Sequence, residues 1–206
     1  MRKYFIILML IVSHQEISAQ KLLMYERLGS FIDERDSANY KSIVLGNQTW
    51  MAENLRYQEG NSLFNSMKYD TCDNCGRYYT YDEALVACPP GWHLPNDDEW
   101  IELEMFVGML GPHTKHTDPR GSIPGQATFL LKYGNSGFDL YLCGFIYQVG
   151  KIYIPHLFAE RGYYWTSTEA SKQKAFYRMF NFNVEAIKRG RWDKTDRFPV
   201  RCVKDK

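Results

Sequence analysis

The chain has 206 residues, 45% of them hydrophobic and 16% aromatic, which suits one well-buried core and falls short of a comfortable pair of domains. Charged residues at 24% exclude wholesale disorder. With 25 Lys and Arg against 24 Asp and Glu, the formal charge of +1 excludes the global basic field expected of a nucleic-acid or anionic-membrane binder.

Residues 1–19 carry the marks of a signal peptide. Arg2 and Lys3 form a basic start, Phe5 to Val12 an apolar run, and Ile17-Ser18-Ala19 offers a small residue at the cleavage point. The run is too short to span a bilayer comfortably, and no later stretch approaches the required length. The expectation is a protein secreted or held at the cell surface, with no transmembrane segment after cleavage. Cleavage would leave 23 basic against 23 acidic side chains. No cysteine follows the small residues, so a lipid-anchored start is not indicated. Residues 20–35 form an N-terminal lead-in with the makings of a first strand, and a single domain is expected over 36–206.

Beyond the lead-in, Tyr40, Ile43 and Leu45 are strand formers, Gly46-Asn47 is a turn signal, and Thr49 to Met51 resumes extended structure. The pattern predicts a hairpin. Residues 57–77 are polar and irregular. Thr80 with Glu83 fits a capping box opening a first helix, whose buried face would be Ala84, Leu85, Val86 and Cys88, stopped by Pro89-Pro90-Gly91. Asn96 with Glu99 repeats the box, and Trp100, Ile101, Leu103, Phe106 and Val107 recur at helical spacing until Gly108. Asp97 and Asp98 suit the positive end of that helix.

From Gly108 to about Ser136 the chain reads as a long loop. Six short strands follow, at 138–143, 151–154, 162–167, 175–182, 184–188 and 198–203. Two helices and then a run of strands predicts an α+β fold with an antiparallel sheet. The five cysteines, Cys72, Cys75, Cys88, Cys143 and Cys202, make two pairs and one leftover in an oxidising compartment, with connectivity open.

Four blocks carry a resemblance: Gly46-Asn-Gln-Thr-Trp50-Met-Ala-Glu-Asn-Leu55, Ala84-Leu-Val-Ala-Cys88-Pro-Pro-Gly-Trp92-His-Leu-Pro95-Asn-Asp-Asp-Glu-Trp100, Tyr164-Trp165-Thr-Ser-Thr-Glu169, and Phe198-Pro-Val-Arg-Cys202-Val203. In this order they resemble the Fibrobacter succinogenes major paralogous domain over roughly residues 33–204. That resemblance implies an exported protein of Bacteroidetes-like bacteria with no assigned activity. More distantly the blocks look like a C-type lectin-like fold, two helices packed on short antiparallel sheets and stapled by disulfides. Carried over by position, that likeness pairs Cys88 with Cys202. The Glu-Pro-Asn and Trp-Asn-Asp elements of calcium-dependent lectins are missing, and Lys194 stands where a cation would want oxygen. The likeness therefore brings no calcium and no sugar binding with it.

Several short motifs invite a chemical reading. Cys72-x-x-Cys75 reads most plainly as a local disulfide. A redox role would want it to open a helix, and a zinc role would want a second ligand pair. Cys143, among Leu140, Tyr141, Leu142 and Phe145, reads as a buried thiol acting as a small hydrophobe. His113 and His116 lie in a Gly- and Pro-rich loop with no third ligand nearby, and His93 reads as structural. Lys188-Arg189-Gly190-Arg191-Trp192 reads as a basic hairpin turn, most plainly a solvated edge that discourages strand pairing, in which Arg189, Arg191 and Trp192 could also meet an acidic polysaccharide or a phosphate backbone. Asp36-Ser37-Ala38 matches a short O-glycosylation signal of exported Bacteroidetes proteins, a three-residue match with a high chance rate.

Together these readings predict a non-catalytic recognition module needing no cofactor and no metal. Its ligand, an extracellular protein or glycan, would be met by the loops between Gly108 and Pro155 and by the 188–193 turn. The alternatives are a structural subunit of a surface assembly, or an exported enzyme using Cys143 or the His113/His116 loop.

Overall fold

The structure is a computed structural model, and it describes residues 27–64, 74–109, 119–120, 126–132, 134–181 and 186–206. The signal-peptide segment, most of the lead-in, Cys72, His113 and His116 lie outside these residues. Alternating apolar residues start the fold as an antiparallel meander of β1 (Leu28–Asp33), β2 (Ala38–Leu45) and β3 (Gln48–Met51). The β2–β3 turn falls on Gly46 and Asn47 as expected, with Gly46 at a positive φ of 61° that favours glycine. A small ladder of β4 (Leu63–Phe64) and β5 (Arg77–Tyr78) follows.

Both predicted capping boxes are present. In α1 (Tyr81–Ala87) the Thr80 side chain accepts from Glu83 N while Glu83 accepts from Thr80 N. In α2 (Asp97–Phe106) Asn96 and Glu99 do the same. The buried face of α1 differs from the expectation. Tyr81, Ala84 and Ala87 point inward, whereas Leu85 and Val86 are 43% and 62% exposed. Between the helices lies β6 (Trp92–His93).

The remaining elements are β7 (Pro119–Arg120), α3 (Gln126–Leu130), β8 (Cys143–Val149), β9 (Ile152–Phe158), β10 (Arg161–Glu169), β11 (Lys174–Asn181), β12 (Ala186–Asp193) and β13 (Val203–Lys204). They complete a five-stranded sheet ordered β1-β2-β3-β13-β6 and a six-stranded sheet ordered β7-β12-β11-β10-β8-β9. Strand and bridge residues make up 47% of the described residues and helix 14%, in three sheets. This overturns the expected α+β, C-type lectin-like arrangement of two helices packed on short sheets. The fold is mostly β, because β10, β11 and β12 run eight or nine residues each and pair along most of their length. No helix among the described residues is long and apolar enough to cross a membrane.

The six-stranded sheet is covered on both faces. On one, Tyr163, Trp165, Tyr177 and Met179 join Tyr79, Tyr81, Ala84 and Phe198. On the other, Tyr164, Phe180 and Ile187 join Trp100 and Leu103 of α2, Leu130 of α3, and Phe138. Each large side chain buried this way contributes about 1.5–3 kcal/mol.

Two disulfides tie these layers. Cys88, which closes α1, is bonded to Cys202 beside β13 across a separation of 114 residues. Cys75 is bonded to Cys143 at the start of β8, a separation of 68. The expected local Cys72–Cys75 bridge involves Cys72, which lies outside the described residues. Cys143, bonded to Cys75, is not the free thiol expected of it.

His93 sits between two carboxylates, Nδ1 2.6 Å from Asp205 and Nε2 2.8 Å from Glu99. Burial disfavours the charged ring, but the hydrogen bonds and charges of Asp205 and Glu99 outweigh it and raise the pKa. A group with a raised folded pKa stabilises fully below its unfolded value, and that contribution is lost as pH rises through the folded value. The urea midpoint of the wild type is therefore expected to exceed that of His93→Gln most at pH 5–6, with the gap closing toward pH 9. A gap that is flat or widens with pH would refute the arrangement.

Candidate functional site

The basic segment 188–192 is not a turn. It is the middle of β12, paired with β11 from Lys174↔Asp193 to Asn181↔Ala186. Strand alternation therefore sends Arg189 and Arg191 to one face and Lys188, Gly190 and Trp192 to the other. The structure does not bring Arg189, Arg191 and Trp192 together.

Each of the three has its own setting. Arg189 is largely buried and grips Asp97 through Nε at 2.9 Å and Nη2 at 2.7 Å. Arg178, opposite it on β11, reaches Asp97 at 2.7 Å and the fully buried Glu104 at 2.5 Å. Asp97 was read as a helix-end acid. Its burial raises its pKa, but Arg189 and Arg178 more than reverse this and lower it. This near-balanced network fastens α2 to the sheet. Arg191 stays exposed, its guanidinium 5.6 Å from the Phe176 ring. Trp192 is half-buried, and its Nε1 donates to Asp196 at 2.7 Å.

The face carrying Trp192 has the stronger claim to be a site. β8 runs beside β10 only at Gly144↔Gly162, and then leaves the sheet so that Ile146 bridges Arg197 instead. Gly144 makes the departure possible. Its φ is 57°, and a Cβ there would come within 2.1 Å of the His156 carbonyl oxygen. The departing β8–β9 hairpin carries Phe145, Tyr147 and His156 on one face, with Phe145 4.9 Å from Tyr163 and 5.1 Å from Trp192 between ring centroids. His156 stands edge-on to Phe145 and Tyr147 at 5.3 and 6.0 Å.

Beneath the hairpin Tyr163 and Tyr177 are stacked at 5.7 Å. Tyr177 lies across Gly190, where a Cβ would meet its ring atoms at 2.5–2.7 Å. Gly190 is there to make room for that ring and forms no turn. Rings that touch in this way gain about 0.5–1.5 kcal/mol per pair beyond their buried area, which holds the set rigid. At the surface the set ends in Tyr147 and Trp192, both half-buried, and the exposed His156. The hairpin tip beyond is apolar, with Val149 56% and Ile152 67% exposed. Arg197 pairs with Glu83 and stands 5.5 Å from the Tyr153 ring.

Tyr147, His156, Tyr163 and Tyr177 escaped the reading of the sequence. The signal that could have found them is the two-residue alternation of Tyr163 with Trp165 and of Ala175 with Tyr177. Ser37 stands exposed in the β1–β2 turn at a φ of 61°. No group of three or more His, Cys, Asp and Glu residues placed to hold a metal occurs among the described residues.

Comparison with protein-family models finds a match to the Fibrobacter succinogenes major domain over residues 43–204. No curated protein and no solved structure matches, so the more distant C-type lectin-like kinship gains no support. The matched span takes in α1, α2 and α3, both described disulfides and most strands of the two larger sheets. The chain belongs to the Fibrobacter succinogenes major domain family.

Proposed function

We propose that this protein is a non-catalytic recognition module acting outside the cell, secreted or held at its surface, and that it meets a protein or glycan through the ring face of the β8–β9 hairpin. The observation that carries this reading is the set of surface rings, Tyr147, His156 and Trp192, held in place by buried rings behind them. Rigid amphipathic rings bind with little loss of side-chain entropy, which suits recognition surfaces. The basic start and apolar run of residues 1–19, together with two long-range disulfides, support an oxidising destination. Bonding of Cys143 to Cys75 weighs against a thiol-based enzyme. The apolar tip at Val149 and Ile152 favours a second reading, a structural subunit that self-associates.

The test is to screen the disulfide-bonded protein on glycans and extracellular-matrix proteins, with and without calcium, beside Tyr147→Ala and His156→Ala. A specific ligand whose binding weakens about tenfold in either variant, at unchanged denaturation midpoint, is expected. A ligand bound equally by both variants would move the site elsewhere. A blank from folded protein that sediments as an oligomer would replace this reading with the structural-subunit one.

A further inference from the structure

Among the described residues seven tyrosines are buried, and five of them place the hydroxyl on protein. Tyr40 accepts from Arg56 N, and Tyr78, Tyr79, Tyr81 and Tyr164 donate to the carbonyls of Cys143, Tyr57, Ser167 and Tyr141. This is what burial of a phenol demands, since a buried hydroxyl without a partner is costly. Tyr163 and Tyr177 are the exceptions. Their rings are 3% and 4% exposed, and neither hydroxyl has a hydrogen-bond partner among the described residues. Neither is among the fully enclosed polar atoms, so both open to solvent. The two exceptions are the stacked neighbours at the foot of the ring face.

Two cations lie on the same face. Strand register puts Tyr163 opposite Met179 and Met179 opposite Lys188, with Arg161 two residues before Tyr163 on the same face. Arg161 and Lys188 form no ion pair with any described residue. The nearby acid Asp196 is already engaged by Trp192 Nε1. Burial, and then the neighbouring Tyr163, push the Tyr177 phenol up to about 12, while Arg161 pulls it the other way. At neutral pH the phenol is therefore a hydrogen donor. Two donors and two cations with no partner among the described residues call for a group that only accepts and is negative.

We propose that the ligand is a carboxylate-bearing saccharide, its acid group held between Arg161, Lys188 and the hydroxyls of Tyr163 and Tyr177, its ring against Trp192 and Tyr147. A sugar fits the rest of the face because its C–H edges stack on rings while its hydroxyls use the wet rim. This assignment rests on the recognition reading and narrows its ligand.

Titration calorimetry with three acidic probes, trigalacturonate, a hyaluronan tetrasaccharide and sialyllactose, each beside its neutral methyl ester, tests it. At least one acid is expected to bind about tenfold or more tightly than its ester. That preference is expected to disappear in Tyr163→Phe/Tyr177→Phe, which keeps both rings, and in Arg161→Gln, at unchanged denaturation midpoints. Equal binding of acid and ester, or variants that bind like the wild type, would overturn the carboxylate site. If all three acids fail while another ligand binds through Tyr147 and His156, this assignment falls alone. If nothing binds, both readings fall.

Discussion

Arg201→Met is expected to destabilise the protein by about 3 kcal/mol or more, read as a shift in the urea unfolding curve. Arg201 is 1% exposed and has no carboxylate partner among the described residues. Its guanidinium instead donates to Asn54 Oδ1 at 3.0 Å, to the carbonyls of Met51 and Phe138 at 3.2 and 2.5 Å, and to that of Asp139 at 3.0 Å. Burial lowers its pKa, opposed by Tyr164 and Asp139, and a guanidinium stays charged at neutral pH all the same. Methionine fills much of the space but leaves four acceptors in the core unanswered, each costing about 1–3 kcal/mol before relaxation. These acceptors come from two parts of the chain, in and just after β3 and ahead of β8, so one side chain clamps segments remote in sequence. Arg201→Lys keeps the charge without the fork and is expected to fall between the wild type and methionine. A loss under about 1 kcal/mol in Arg201→Met would show that the neighbouring groups find other partners.

Replacing both Cys88 and Cys202 with alanine is expected to cost about 4–5 kcal/mol, as judged by denaturant midpoint under oxidising conditions. The chain-entropy account sets the scale from the separation of 114 residues, because the cross-link mainly restricts the unfolded chain. The same account gives about 4 kcal/mol for the Cys75–Cys143 pair at a separation of 68. The two double variants should therefore behave alike, within about 1 kcal/mol of each other. A Cys88/Cys202 variant as stable as the wild type would mean that the five-stranded sheet holds β13 and β6 without it.

Much of the local structure was legible. Both capping boxes, the Gly46-Asn47 hairpin turn and the start of α2 depend on residues within three or four positions of one another, and these came out as read. Errors began where a segment's neighbour lay far along the chain. Leu85 and Val86 are apolar, but α1 meets the sheet through Tyr81, Ala84 and Ala87, so its outward side is left apolar. Lys188 to Trp192 carries a central glycine and four polar or charged side chains within reach, which looks like a turn. Pairing with β11 makes it a strand, and the glycine answers to Tyr177, thirteen positions earlier.

The candidate site shows the same division. Arg189, Arg191 and Trp192 stand close together in sequence, but alternation in a strand puts Trp192 on the face opposite Arg189 and Arg191. Tyr147, His156, Tyr163 and Tyr177 come together only because β8 leaves the sheet at Gly144 and folds its rings back over β10 and β11. Cys143 likewise reads as a lone apolar-strand cysteine until the fold sets it beside Cys75. By itself the sequence determined the helix ends, the first hairpin and the family, because each is written in contiguous blocks. Only the tertiary structure decided that the protein is mostly β, which sulfur joins Cys143, and which two of the described buried tyrosines have a hydroxyl without a partner among the described residues, since strand pairing and burial are settled by residues far apart in the chain.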